Sequence, residues 1–481
     1  MDKDTENYVF ILTIVFIVSA VFIIRIYINY LLDIPLHYDE AQYWGWSKEF
    51  SWGYFSKPPL LAWAINLTTK ICGNTELCIR SLSPFFHTIT TLTIIFATYL
   101  YLRKRFLAFL AGFLYLIMPG VTYSSLIAST DIPLLFFSAL VLIIMVLFYK
   151  KSLNKNLLFI ALGITLGLGF LAKYAVLYLT IGILISSAFN EFSRNIFLNK
   201  KIVISLLIFI SIIFPNILWN YNNGFVTFQH TLSNANYKGL QVNIIEALTF
   251  VTSQIIIFGV FPMIFIVYNT FSSVKLDNLQ KCFLFLFLFP LFLISLLAVF
   301  SKANANWAVI GYPFGCVFIA TLLSNKNYYK ISFLIFNQAL FSIVLVLFLI
   351  SLPINGLDPF SKIRNIKDLA DIVRYEIENK NLTAFVSDDR KDYAHMLYYL
   401  KDIKVDRAKY NSSHKINDHY DLTTNLKNIN GSRVLFLTRT KPTEEIIMES
   451  ETISILKKVV YDLGKKKKQY NFYIIRNWNP E

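Results

Sequence analysis

Apolar runs of about 18 residues or more recur from residue 8 to residue 350 of this 481-residue chain. Each is long enough to cross a hydrocarbon layer roughly 30 Å thick. A sequence of this kind folds as a polytopic bundle of membrane helices. The charged fraction agrees, at 16% against the ~25% of soluble domains, and mean hydropathy is +0.52. The pattern predicts eleven helices, near 8–31, 81–102, 106–119, 132–149, 156–172, 174–190, 201–218, 248–268, 283–300, 306–323 and 331–351. After Leu352 the composition turns charged and mixed, so residues 353–481 are expected to form a soluble domain. Strand-like AFVSDD, VLFLTRT and FYIIRNW alternate there with helix-like KDLADIVRYEIENK and KDYAHMLYYLKD, which predicts a small α/β fold.

The loops fix an expected orientation. With the N-terminus inside, inner loops carry fourteen Lys or Arg and outer loops seven, in line with the positive-inside rule. The first run is too long for a signal-peptide core and no small-residue cleavage site follows, so it is expected to be an anchor. An odd number of spans then puts the C-terminal domain outside. The net charge of +15 is spread over loops and tail, which argues against nucleic acid as a partner. Four cysteines form no CxxC pair, leaving Cys72 and Cys78 as either a local disulfide or two inert thiols. Gly163, Gly167 and Gly169 lack the Lys-Ser/Thr of a phosphate loop and suit close helix packing. The KKKK run at 465–468 suits a solvated turn, or attraction to anionic headgroups.

The loop at 33–80 is the long one among the outer connections, and long ordered loops usually carry function. YDEAQYWGWSKEF and PPLLAWAINLTTKI within it each suit a short helix at the membrane interface. The adjacent carboxylates Asp39 and Glu40 either cap the first helix through its dipole or do chemistry. Asp131 stands alone among apolar residues before a span, as an N-cap or a site residue. Lys173 and Lys302 sit at outer span ends, where an unpaired charge is costly. Trp219, Asn220, Asn304, Asn306 and Trp307 lie at outer span ends too, as interfacial anchors or substrate contacts. Acids at 39, 40 and 131 beside cations at 57, 80, 173 and 302 would suit transfer from a phosphodiester donor, in which a carboxylate takes a proton and cations hold the leaving phosphate.

The blocks HYDEAQYWGWSKEFSWGYFSKPPLLAW, ELCIRSLSPF, ASTDIPLLFF, GITLGLGFLAKYAVLY, FPNILWNYNNGF and SKANANWAVIGYP together resemble bacterial membrane glycosyltransferases related to protein O-mannosyltransferases and the lipid A aminoarabinose transferase. The resemblance covers about residues 33–320 in order. It implies a GT-C fold, a polyprenyl-phosphate-linked sugar as donor, and transfer with inversion to a hydroxyl on lipid A, another glycan or a protein at the outer face of the bacterial inner membrane. Carried onto this sequence, it makes Asp39 the general base or an acceptor-positioning carboxylate and has Glu40 orient it or the second helix. It places Lys57 near the donor phosphate and pairs Arg80 with Glu76 or with substrate; the residues themselves offer Lys302, with adjacent Asn306 and Trp307, as further phosphate or substrate contacts. Asp131 becomes a site residue or structural partner; Lys173, from its place at an outer span end, is read as an auxiliary cation. Relatives hold a metal with a glutamate where this chain has Ser56. His230 is the remaining candidate ligand, no cofactor is required, and a divalent metal stays open. The competing function is a transporter or flippase of a lipid-linked glycan, which should show ionisable groups at mid-membrane or paired broken helices. The sequence displays neither feature.

Overall fold

A computed structural model describes residues 3–479 apart from 235–241, 271–274, 325–327, 352–359, 362, 414, 430–432 and 463–466. The chain folds as two compact units. One comprises Met1–Leu31, Lys57–Ala64 and Arg80–Phe348; the other comprises Leu32–Ser56, Ile65–Ile79 and Leu349–Glu481. The boundary expected at 352/353 falls outside the described residues, as do Lys465 and Lys466 of the lysine run.

In chain order the helices that carry the molecule begin with α1 (Lys3–Leu32), α2 (Tyr38–Trp46), α3 (Leu60–Cys72), α4 (Glu76–Leu102), α5 (Arg105–Leu116) and α6 (Pro119–Ser124). They continue with α7 (Asp131–Lys150), α8 (Lys155–Ala172), α9 (Leu177–Ser186), α10 (Glu191–Phe197), α11 (Ile202–Asn222) and α12 (Val226–Asn234). Then come α13 (Ile244–Phe258), α14 (Val260–Thr270), α15 (Asn278–Phe300), α16 (Tyr312–Leu323), α17 (Tyr328–Ser351), α18 (Ile366–Asn379) and α19 (Arg390–Tyr399). Every predicted run has a helical counterpart, but the number of spans is a separate matter. Among the described residues six helices are long and apolar enough to cross a membrane, or eight if two bent pairs each count as one.

Those bends are a departure from the sequence reading, which found no broken helices. α9 and α10 meet at 111°, and α13 and α14 at 105°. The second break sits at Gly259, whose φ of +117° is open to glycine and strained for other residues. The small residues of α8 behave as expected. A Cβ on Gly163 would come within 2.6 Å of the Ser205 carbonyl oxygen, and one on Gly167 within 2.9 Å of Ile212 Cβ. α8 and α11 can therefore approach closely only because these side chains are missing. The first unit also buries an arginine that sequence inspection passed over: Arg25 of α1 donates through Nη2 to the Leu116 carbonyl at 2.6 Å.

The second unit holds a five-stranded sheet in the order β2-β1-β3-β5-β4, with β1 Ala384–Ser387, β2 Asp406–Lys409, β3 Val434–Thr438, β4 Ser450–Asp462 and β5 Lys467–Trp478. β1 pairs in parallel with β2 and β3, whereas β3–β5 and β4–β5 are antiparallel. The central strands β1 and β3 are buried along their whole length, the apolar pattern of strands covered on both faces. The Cys72–Cys78 disulfide closes the turn between α3 and α4, settling the sequence's open choice. Next to it Asn74 receives the Trp44 Nε1–H at 2.9 Å, and its carbonyl accepts from the Tyr398 hydroxyl at 2.9 Å.

Candidate active site

In the second unit, α2 opens with a capping box. The His37 amide donates to Glu40 Oε2 at 2.8 Å, while the Asp39 amide donates to His37 Nδ1 at 3.4 Å. Reciprocal bonds of this type satisfy helix-end amides that would otherwise lack partners. The two adjacent acids thereby part company. Glu40 is wholly buried and spent on the cap, whereas the Asp39 side chain is 41% exposed. His37 Nδ1 also lies 3.6 Å from Asp39 Oδ2. Burial pushes the His37 pKa down against the pull of Asp39 and Glu40, so at neutral pH the ring accepts a hydrogen bond and the contact is no ion pair.

Asp39 gains its charged partner from far along the chain. Arg390, the first residue of α19, donates through Nη1 to Asp39 Oδ1 at 3.4 Å and hydrogen-bonds Gln42 Oε1. Its guanidinium lies 5.2 Å from the centre of the Tyr38 ring. α19 in turn is held by Asp389, its N-cap, which accepts from the amides of Lys391 and Asp392 at 2.8 and 3.1 Å. Arg439, directly after β3, bridges Asp389 at 3.3 Å and Asp392 at 2.6 Å. Burial, then Asp389, pushes the Asp392 carboxyl up; Arg439 opposes that shift. Glu76, expected beside Arg80, receives Lys367 at 3.0 Å and the Tyr399 hydroxyl at 2.5 Å.

In the first unit, Asp131 is the first helical residue of α7. Its carboxylate receives Lys173 Nζ at 2.5 Å on one oxygen and Asn306 Nδ2 at 2.6 Å on the other. Thr130 occupies the cap position, so the carboxylate serves this cluster instead. With side chains 13% and 10% exposed, Lys173 and Asp131 form an ion pair largely out of solvent. The cluster stands at a cavity of about 370 Å³ lined by Asp131, Asn306, Ser124, Ser129 and Tyr312 among apolar Val121, Ile127, Leu135, Ile257 and Val309. Tyr312 donates to Gln254 at 2.8 Å, and Ser124 is joined to His87 Nε2 at 2.7 Å. A mostly apolar cavity with a few fixed polar groups suits a ligand that is largely hydrocarbon with one polar end.

The remaining predicted residues are distributed as follows. Lys57 is half-buried ahead of α3, Arg80 is buried in α4, and Lys302 is exposed after α15. Trp307 packs on Phe250, Ile294, Ala298 and Ala308. Asn220 is buried and donates to the Asn216 carbonyl at 3.0 Å, whereas Trp219 is half-buried. His230 lies on α12, with Nδ1 3.2 Å from Asn234 Nδ2. Among the described residues no group of three or more His, Cys, Asp or Glu is gathered as a metal would need. The sequence reading missed Arg390, Gln42 and Arg439. DDRKDYAHMLYYL was visible, but it read by default as an ordinary helix with Met396, Leu397 and Leu400 in its core.

Residues 56–219 match the family described as dolichyl-phosphate-mannose-protein mannosyltransferase. The lipid A galacturonosyltransferase RgtD of Rhizobium johnstonii is 32% identical over 293 residues, 60% of this chain and 60% of that protein. The chain therefore spans less than two thirds of that relative's length. The crystal structure of ArnT from Cupriavidus metallidurans bound to undecaprenyl phosphate superposes with a TM-score of 0.68 at 13% identity, covering 98% of this chain and 99% of ArnT. Its apo form gives 0.67 at 12% identity, covering 98% of each chain. The chain therefore shares the fold of ArnT, and its residues 56–219 are similar to the protein-mannosyltransferase family.

Proposed function

We propose that the chain is a glycosyltransferase that moves a sugar from a polyprenyl-phosphate donor to a hydroxyl acceptor at the outer face of the bacterial inner membrane. The observation that carries this reading is Asp39, a half-exposed carboxylate fixed on a capped helix while its neighbour Glu40 is consumed by the cap. Lipid A is the acceptor to try first and galacturonic acid the sugar, from what RgtD is named for. ArnT's bound undecaprenyl phosphate supports a lipid-linked donor. The fold's likeness to ArnT favours transfer over transport, despite the two broken helices.

In this reading the acceptor oxygen attacks the anomeric carbon and its proton passes to Asp39. The bond from that carbon to the phosphate oxygen breaks with inversion, and the polyprenyl phosphate leaves with the electron pair. Lys57 and Lys302 are assigned to the phosphate, with Arg80 and Trp307 as further substrate contacts. Lys173 is matched by Asp131, so we assign that pair and Asn306 to shaping the substrate cavity. Glu40 orients α2. No nucleotide and no covalent enzyme intermediate are needed, because phosphate is already a good leaving group. The test is transfer from labelled polyprenyl-phosphate sugars in membranes holding wild type or Asp39→Asn. Loss of about 10²–10⁴-fold in a folded Asp39→Asn variant is expected. Equal transfer by both removes Asp39 as the base, and no transfer by wild type with any donor brings the transporter forward.

A further inference from the structure

We infer that Arg390 is a positioning residue for the transfer reaction, whose guanidinium fixes the Asp39 carboxylate in the orientation in which it takes the acceptor proton. This rests on Asp39 being the base. Three observations within the second unit carry it.

First, Asp39 and Gln42 are three positions apart on α2 and so share a face, and one guanidinium nitrogen of Arg390 reaches both. The guanidinium is planar and pre-organised, so the nitrogen that holds one oxygen of each side chain keeps its direction better than a flexible ammonium would. Second, the contact leaves the carboxylate available. At 3.4 Å the bond to Asp39 is long, and the Oδ2 atom has His37 Nδ1, a ring nitrogen engaged as an acceptor, at 3.6 Å. Asp39 keeps an oxygen for a hydroxyl proton, whereas an arginine engaged through both nitrogens would occupy the whole carboxylate. Third, the guanidinium is itself fixed from behind. The first turn of α19 is capped by Asp389, which Arg439 holds, and the guanidinium rests against Tyr38. Arg439 also holds the buried Asp392 of the same turn, so the residue after β3 sets where Arg390 starts. In this reading Arg390 acts on the reaction through Asp39 and not on the substrate itself.

The test is steady-state transfer by wild type, Arg390→Ala, Arg390→Lys, Gln42→Met and Asp39→Asn in detergent-solubilised full chain, each checked by its melting curve. Arg390→Ala should lose about 10²-fold in kcat with donor KM held within about twofold, the mark of a group that matters only as the reaction proceeds. Added guanidinium should restore part of that loss. Arg390→Lys should keep less than wild-type turnover, because a flexible ammonium lacks the fixed direction of the planar guanidinium, and Gln42→Met should shift kcat in the same direction. Asp39→Asn combined with Arg390→Ala should be no slower than Asp39→Asn alone. Wild-type kcat in Arg390→Ala beside an inactive Asp39→Asn overturns the inference and spares the base. A raised donor KM at unchanged kcat also overturns it, by making Arg390 a substrate contact. Full turnover in Asp39→Asn defeats the base assignment itself, whatever Arg390 does. If Arg390→Ala does not fold, Arg390→Lys and Gln42→Met decide by the same split.

Discussion

Replacing Lys173 by Met removes one charge from a pair that the structure keeps largely out of water. At the observed 2.5 Å, two unit charges attract by about 7 kcal/mol at an effective dielectric constant of ~20. Much of that is offset by several kcal/mol of lost hydration for each ion, so the intact pair adds little net stability. Breaking it is another matter. Asp131 would keep Asn306 on one oxygen and face an apolar surround on the other, a loss of about 3–5 kcal/mol. Asp131→Asn should destabilise through the opposite orphan, and the double variant should recover to within about 1 kcal/mol of wild type, because neither charge remains. The assay is a reversible denaturant titration of detergent-solubilised protein with transfer measured in parallel. If the cluster shapes the substrate cavity, the double variant regains stability without regaining transfer. A Lys173→Met variant as stable as wild type refutes the energetic argument, and a double variant that transfers normally refutes the assignment to substrate.

Acid should loosen the second unit through its buried imidazoles. Burial pushes His395 from 6.5 down to about 3 and His419 to about 4, so the unfolded chain takes up protons below 6.5 that the folded one refuses. Stability is therefore full above about 6.5 and falls as pH drops toward 4 and 3. At pH 5.5 each histidine costs about 1.4 kcal/mol, and a melting curve of this unit unchanged between pH 7.5 and 5 would contradict it. Cys72→Ser should cost about 2 kcal/mol by freeing a loop with a sequence separation of 6, and Cys72 and Cys78 should accept maleimide only after reduction. Maleimide labelling of both before reduction sinks that prediction.

The membrane part was legible because hydropathy alone forces helices over runs this long. The second unit was half legible. β1, β3 and the core of β5 announce themselves as AFVS, VLFLT and FYIIRNW, all apolar or nearly so. β2 is four residues reading DRAK, and β4 reads SETISILKKVVYD with most side chains exposed, so neither shows the alternation by which a strand is recognised. At the site, sequence supplied Asp131, Lys173 and Asn306 as separate charged or polar residues at span ends. Their meeting joins positions 42 and 175 residues apart, which no local pattern encodes. The break at Gly259 was likewise hidden, because one glycine in an apolar run reads as a tolerated defect until its φ is known.

The pair Asp39–Glu40 shows why two identical-looking carboxylates had to be separated by structure. A capping box is usually announced by Ser, Thr, Asp or Asn at the cap, and here the cap is His37. Without that signal, either acid could be the helix-end partner. Once Glu40 closes onto the His37 amide, it lies wholly buried and Asp39 retains the exposure a base requires. The two tasks then separate by chemistry. Glu40→Gln keeps an oxygen that can accept from the His37 amide, so α2 should stay capped and transfer should persist near the wild-type rate. Glu40→Ala removes the acceptor and should cost about 1 kcal/mol of stability, in line with the loss of a capping side chain. Asp39→Asn also keeps an oxygen, yet an amide cannot take the hydroxyl proton, so geometry survives and turnover does not. Glu40→Gln that abolished transfer in a folded protein would show that the charge of Glu40, and not its place in the cap, is what the reaction uses.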